Sequence, residues 1–231
     1  MIFLFLLMTS FLRADSIECE AWLTQTRVIY VGEKHFQGAA REMLLENMGV
    51  LKKSGITHLG LEALNSNHQD SLEQYRIGKA SREHILNVFA DEWGWSPQAH
   101  ADLIDAAFAH GIAVIALDGR HLTGKISDFQ ERENFRDQHM TARLAQVIGA
   151  ASHVKIVVLA GSNHIRTDVQ PKILLTQYGI KALSYAVNPD VNESANFDGS
   201  ISRKTRKPSI EESGYKEFNP EWDWSEPHAK K

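Results

Sequence analysis

Five short runs are apolar at nearly every position, and longer amphipathic stretches separate them. They are RVIYV (27–31), THLGLE (57–62), IAVIALD (112–118), VKIVVLA (154–160) and IKALSYA (180–186). A strand with one wet face alternates apolar and polar residues. A strand that is apolar throughout must be covered on both faces, which is the condition of a parallel sheet between helices. The intervening stretches have helical spacing. Residues 39–55 put Ala40, Leu44, Met48 and Leu51 on one face, and Gly55 suits the end of that helix. Residues 68–92 predict two helices, 128–150 a long one and 171–179 a short one. Residues 96–111 carry Ser96 as the expected N-cap, Pro97 in the first turn and Gly111 at the end. The expected fold is α/β: an open, mainly parallel sheet of about five strands, helices on both faces, and a ligand site at the carboxyl ends of the strands.

The boundaries follow from composition. The apolar run 2–12 is too short to span a bilayer comfortably and has the length of a signal-peptide core, so residues 1–14 predict a secretory signal. That places the protein in the periplasm or cell envelope; without the signal it would be cytoplasmic. The α/β domain is expected over 20–187. Residues 188–231 lose all periodicity and are rich in Ser, Asn and charge, which predicts a polar, mostly irregular tail. At 231 residues and 43% hydrophobic, the chain suits one globular domain with tails. A net charge of -4 gives no reason to expect nucleic acid. The single cysteine, Cys19, can form neither an internal disulfide nor a cysteine metal site.

The chemistry is concentrated where strands end. The first strand runs into Gly32-Glu33-Lys34-His35 and the fourth into Gly161-Ser162-Asn163-His164, a repeated Gly-x-x-His. The second ends in Glu62 and the third in Asp118. Each glycine allows either a positive φ or a close backbone approach. Arg136 rides the apolar stripe of the long helix with Met140 and Leu144. A cation there needs a partner, and the expected ones are a carboxylate such as Glu33 or Glu62, or an anionic group of a substrate. Glu33, His35, Glu62, Arg136 and His164 are therefore the candidate catalytic set. His35, Glu62 and His164 are also candidate ligands for a divalent metal. Trp93 and Trp95 could form an aromatic wall beside them. His58 reads as a core or face residue of its strand and His110 as a helix C-terminal residue; His68, His84, His100, His121, His139, His153 and His228 read as surface residues, with His121 and His139 the two to set against the site.

These motifs resemble the ChaN-like family of haem-binding uptake proteins, within the superfamily of Tiki-type proteases and erythromycin esterases. The residues carrying the resemblance are VGEKH (31–35), GLEAL (60–64), EWGWSPQAHADLIDAAFAHGIAVIALDGR (92–120), NFRDQHMTARLAQVI (134–148) and VLAGSNHIRTDVQPKIL (158–174). The resemblance implies an α/β fold with Glu33, His35, Glu62, Arg136 and His164 as its polar core. It implies haem as cofactor and iron acquisition at a bacterial envelope, or hydrolysis as in the esterase- and protease-like relatives. Haem or another small molecule is the expected ligand; a homodimer and a membrane-associated partner are the assemblies it raises. It assigns no haem ligand, leaving Tyr30, Tyr75 and the histidines as candidates. Phe36 stands where the family often has an acid, and Asp118 where an Asn is expected.

Overall fold

The computed structural model describes residues 26–202, apart from 95 and 190–192. The expected signal segment, Cys19, Trp95 and the tail beyond 202 lie outside the described residues. Among the described residues no helix is long and apolar enough to cross a membrane.

The five apolar runs all become strands: β1 (Val28–Glu33), β2 (His58–Asn65), β3 (Ala113–Asp118), β4 (Ile156–Gly161) and β5 (Ala182–Val187). A short sixth, β6 (Gly199–Ile201), comes from the segment expected to be irregular and pairs parallel to β5. It has no apolar run to announce it; three residues pair through backbone alone. All pairings are parallel, in the order β3-β2-β4-β1-β5-β6.

The helices are α1 (Ala39–Lys53), α2 (Gln69–Arg76), α3 (Arg82–Glu92), α4 (Pro97–Ala109), α5 (Phe129–Ala150) and α6 (Gln170–Tyr178). Alternate strand residues feed opposite layers. Ile29, Val31, Leu59, Leu61, Val157 and Leu159 pack with α1 to α4. Val28, Tyr30, Ile156, Val158 and Ala160 pack with Met140, Leu144 and Ile148 of α5 and Leu174 of α6. Each such side chain, fully buried, contributes roughly 1.5–3 kcal/mol. This two-sided burial is why the strands carry no polar face.

Two of the six helices carry a side-chain N-cap. Asp128 caps α5 by accepting from the Glu131 amide at 2.8 Å. Ser81 caps α3. Ser96, the expected cap of α4, makes no side-chain cap and instead has a left-handed backbone, φ 41°. Its carbonyl accepts from the backbone amide and Nδ1 of His100, so the turn is tied through the Ser96 carbonyl and not through its hydroxyl.

The strand order sets the position of the site. The chain leaves β1 toward β2 on one side and leaves β4 toward β5 on the other, although β1 and β4 are neighbours. Such a reversal opens a crevice at the carboxyl ends. Glu33 and Gly161 are register partners at that point. The β2–β3 register shifts between Leu61 and Asn65, immediately where Glu62 stands. An irregularity of this kind re-aims side chains at a strand end.

Candidate active site at the strand ends

Glu62 is the hub of the site. Its Oε2 accepts from the Gly161 amide at 2.5 Å. Its Oε1 accepts from Arg136 Nη2 at 2.8 Å and lies 3.2 Å from His164 Nε2. Burial alone would raise the Glu62 carboxyl; His164 and Arg136 overcome it and hold it well below the usual carboxylate range. Arg136 finds Glu62, as expected of one alternative, but not Glu33. Its other partners are Asp118, at 2.9 and 3.0 Å, and Glu133 one helical turn earlier, at 2.8 Å. The Asp118 that stands at the end of β3 is thus a structural counter-ion.

His164 is held between carboxylates. Nδ1–H donates to Asp137 Oδ1 at 2.7 Å, while Nε2 faces Glu62 at 3.2 Å and Glu133 at 3.3 Å. Burial works against its charge, but Glu62 and Asp137 prevail and push its pKa up to about 10. Near neutral pH it is an imidazolium, with both nitrogens donating. Asp137 is fixed in turn by Nε2 of Gln170, at 2.8 Å, from the first turn of α6. Neither residue belonged to the candidate set. Asp137 was legible as the neighbour of Arg136 on α5; nothing in the sequence marked Gln170.

A second unit forms around Glu33. His35 Nδ1 lies 3.0 Å from Glu33 Oε1. Arg41 Nη1 donates to Glu33 Oε2 at 2.6 Å, and its Nη2 donates to the His35 carbonyl at 3.0 Å. Burial opposes ionisation of Glu33, yet Arg41, helped by His35, lowers its pKa. The sequence suggested Arg136 for this task. Arg41 performs it because α1 starts directly after the loop that carries His35.

The two units meet at Gly161. A Cβ there would stand 2.9 Å from His35 Nε2 and 3.3 Å from Glu62 Oε2. Gly161 and Gly32 both have ordinary φ angles, so close approach, not positive φ, is what requires them. At Gly32 a Cβ would meet Ile165 Cδ1 at 2.7 Å, which lets the His164 loop fold over β1. All five candidate residues thus converge, through Glu62 and Gly161 and not by direct pairing of the two histidines.

Several expectations are corrected behind the site. His100 is fully buried, not at the surface; it stacks on Phe89 at 4.9 Å and lies edge-on to Trp93. Burial pushes its pKa down to about 4, so it is neutral. Trp93 is buried too, edge-on to His35 at 4.8 Å with the Arg120 guanidinium 4.9 Å over its ring, so it is no open wall. Tyr30 is wholly buried, and burial raises its hydroxyl pKa. His139 is half-buried and reaches Ser66 Oγ at 2.9 Å.

Among the described residues no group of three or more His, Cys, Asp or Glu side chains is arranged to hold a metal ion. The physical reason is visible. Arg136 occupies the space between Glu62, Asp118 and Glu133 and pairs with all three. Among the described residues, His35, Glu62 and His164 are not arranged as such a group.

Fold and site together define an open parallel α/β domain with a buried His-and-carboxylate centre at the switch point of its sheet. Residues 21–121 match the model of the family described as haem-binding uptake, Tiki superfamily, ChaN. The ChaN-like resemblance seen in the motifs holds over that stretch, which contains Glu33, His35 and Glu62. No curated protein matches the chain in sequence. Among solved structures, the type III effector HopBA1 superposes with a TM-score of 0.58 at 15% identity, covering 78% of this chain and 88% of that one. ChaN of Campylobacter jejuni, whose structure shows cofacial haem binding, gives 0.56 at 16% identity, covering 78% and 89%. The C-terminal region of Pasteurella multocida toxin, described as having a thiol-protease-like catalytic triad, gives 0.58 at 16%, covering 74% of this chain and 24% of the toxin chain. At these identities the likeness is one of fold.

Proposed function

We propose that this chain is a ChaN-like haem-binding protein acting in iron acquisition at a bacterial envelope, with the ligand resting on the carboxyl-end rim of the sheet. The observation that carries this reading is the apolar rim above the charged centre. Phe36 after β1, Leu122 after β3 and Phe129 at the start of α5 are 56%, 51% and 60% exposed. Three large apolar side chains left in water on the edge that bears the site suit a flat apolar ligand. Arg120 and Arg132 on the same edge could meet its carboxylates. The donor set fits less well. His35 Nδ1 is engaged by Glu33 and its Nε2 lies against Gly161, while both His164 nitrogens are donors. Haem would be held by the rim; His164, as placed, presents no nitrogen to its iron, whereas His35, its side chain 30% exposed and its Nδ1 held by the Glu33 carboxylate, is oriented as ligating histidines commonly are.

A second reading has its own observation, the chain Asp137–His164–Glu62. It sets a protonated imidazole beside carboxylates kept ionised by Arg136 and Arg41, and such a separation of acid and base suits hydrolysis. His164 would then serve as general acid, with Glu62 or Glu33 accepting the proton of water. This reverses the sequence expectation that His164 activates water.

One experiment separates the two. Haemin titrated into the full chain is expected to give a saturable Soret shift, weakened about tenfold (about 1.4 kcal/mol) by Phe36→Ser and unchanged by His164→Ala. The same preparations are assayed against ester and peptide substrates. No saturable shift, together with hydrolysis abolished by His164→Ala and by Glu62→Gln, would replace haem binding with the enzyme reading.

A further inference from the structure

A cavity of about 400 Å³ lies away from the site, toward the amino end of the sheet along the free edge of β3. Its size falls in the range of small-molecule pockets, roughly 300–1,000 Å³. Helices α2 and α5 form its sides. Leu72, Phe108, Val114, Ile115 and Val147 give it an apolar lining.

The charges around it do not balance. Arg76 and Glu73 line it but satisfy each other, through Arg76 Nε to Glu73 Oε2 at 2.8 Å and a second contact from Nη2. Burial lowers the pKa of His58, so that imidazole is neutral at pH 7. Arg143 remains. Its Nε donates to the Ala116 carbonyl at 2.9 Å and its Nη2 approaches Gln69 Oε1 at 3.5 Å. Both acceptors are neutral. Among the described residues no carboxylate pairs with Arg143, and burial alone acts on it, lowering its pKa. A guanidinium stays charged in such a place and is satisfied best by a planar carboxylate.

We propose that this cavity binds a monocarboxylate with a medium-length alkyl chain, its head group on Arg143 and its chain along the apolar lining. One uncompensated positive charge suits a single carboxylate better than a doubly charged phosphate. The apolar lining needs a ligand with an apolar body, not a small inorganic anion. The inference is independent of the haem reading, because no residue of the cavity belongs to the strand-end site.

The test is calorimetric titration of the full chain with decanoate below its micelle concentration. One saturable site is expected. Gln146→Trp, a substitution at an exposed lining residue one helical turn from Arg143, fills the cavity while keeping the guanidinium and should weaken binding at least about tenfold. Arg143→Gln should do the same, and Arg143→Lys should recover part of the loss. A decyl trimethylammonium cation should not bind. The proposal is overturned by absence of a saturable site, by decanoate affinity unchanged in Gln146→Trp, or by equal affinity for the cationic probe. If Arg143→Gln unfolds, Gln146→Trp and the cationic probe still decide.

Discussion

Replacing Gly161 with Ala would put a methyl group 2.9 Å from His35 Nε2, 3.0 Å from its Cε1 and 3.3 Å from Glu62 Oε2. The imidazole is partly exposed and could yield, but Glu62 is pinned by Arg136, His164 and the Gly161 amide. Overpacking of this kind costs about 1–3 kcal/mol. Gly161→Ala is therefore expected to lower the unfolding free energy by that amount, read as a lower urea midpoint, with the His35 ring resonances shifted in the NMR spectrum. A wild-type midpoint and unshifted resonances would show that the close approach is unimportant. The spacing Gly-x-x-His was visible in the sequence, as was the need for Arg136 to find a carboxylate. The choice between Glu33 and Glu62 was not, nor the roles of Arg41 and Asp137. Each pair depends on which strand end lies beside which helix.

At the scale of elements, the free edge of β3 is closed by side chains. Gln69 Nε2 donates to the Val114 carbonyl at 3.0 Å, and Gln69 Oε1 accepts from the Ala116 amide at 2.9 Å. Arg143 satisfies the Ala116 carbonyl. One amide and one guanidinium thus take the bonds that another strand would take, which guards an edge against pairing between molecules. Gln69→Ala frees the amide of Ala116 and is expected to cost about 1–3 kcal/mol. It should also promote concentration-dependent association, followed by light scattering. A variant that stays monodisperse at the concentrations where the wild type does would refute the guarding role. The apolar runs predicted β3 well, but nothing in them said that it would be an edge. That position follows from β4 inserting between β2 and β1. Ser96 teaches the converse lesson. A serine before a proline reads as a cap, yet the buried ring of His100 holds its carbonyl and turns its backbone left-handed.

For the whole molecule, buried titratable groups predict how stability varies with pH. His100 has its pKa depressed from 6.5 to about 4, so its contribution is complete above about pH 6.5 and is lost as pH falls toward 4. Glu33 and Glu62 are also depressed, so their contributions are lost as pH falls below the ordinary carboxylate value of 4.5. His164 is raised from 6.5 to about 10, so its contribution is complete below 6.5 and is lost as pH rises toward 10. Denaturant midpoints measured from pH 4 to 10 should fall at both ends, and His100→Phe should flatten the limb between pH 6.5 and 4. An unchanged acid limb in that variant would remove His100 as its cause. The sequence by itself determined the elements, because burial on two faces and helical periodicity are written locally in residue spacing. It also determined which edge of the sheet carries ionisable groups. Only the tertiary structure decided the partners. Arg136 and Glu62 are 74 residues apart, and Gly161 and Glu62 are 99 apart. Such pairs depend on strand order, which long-range packing selects and no local pattern encodes.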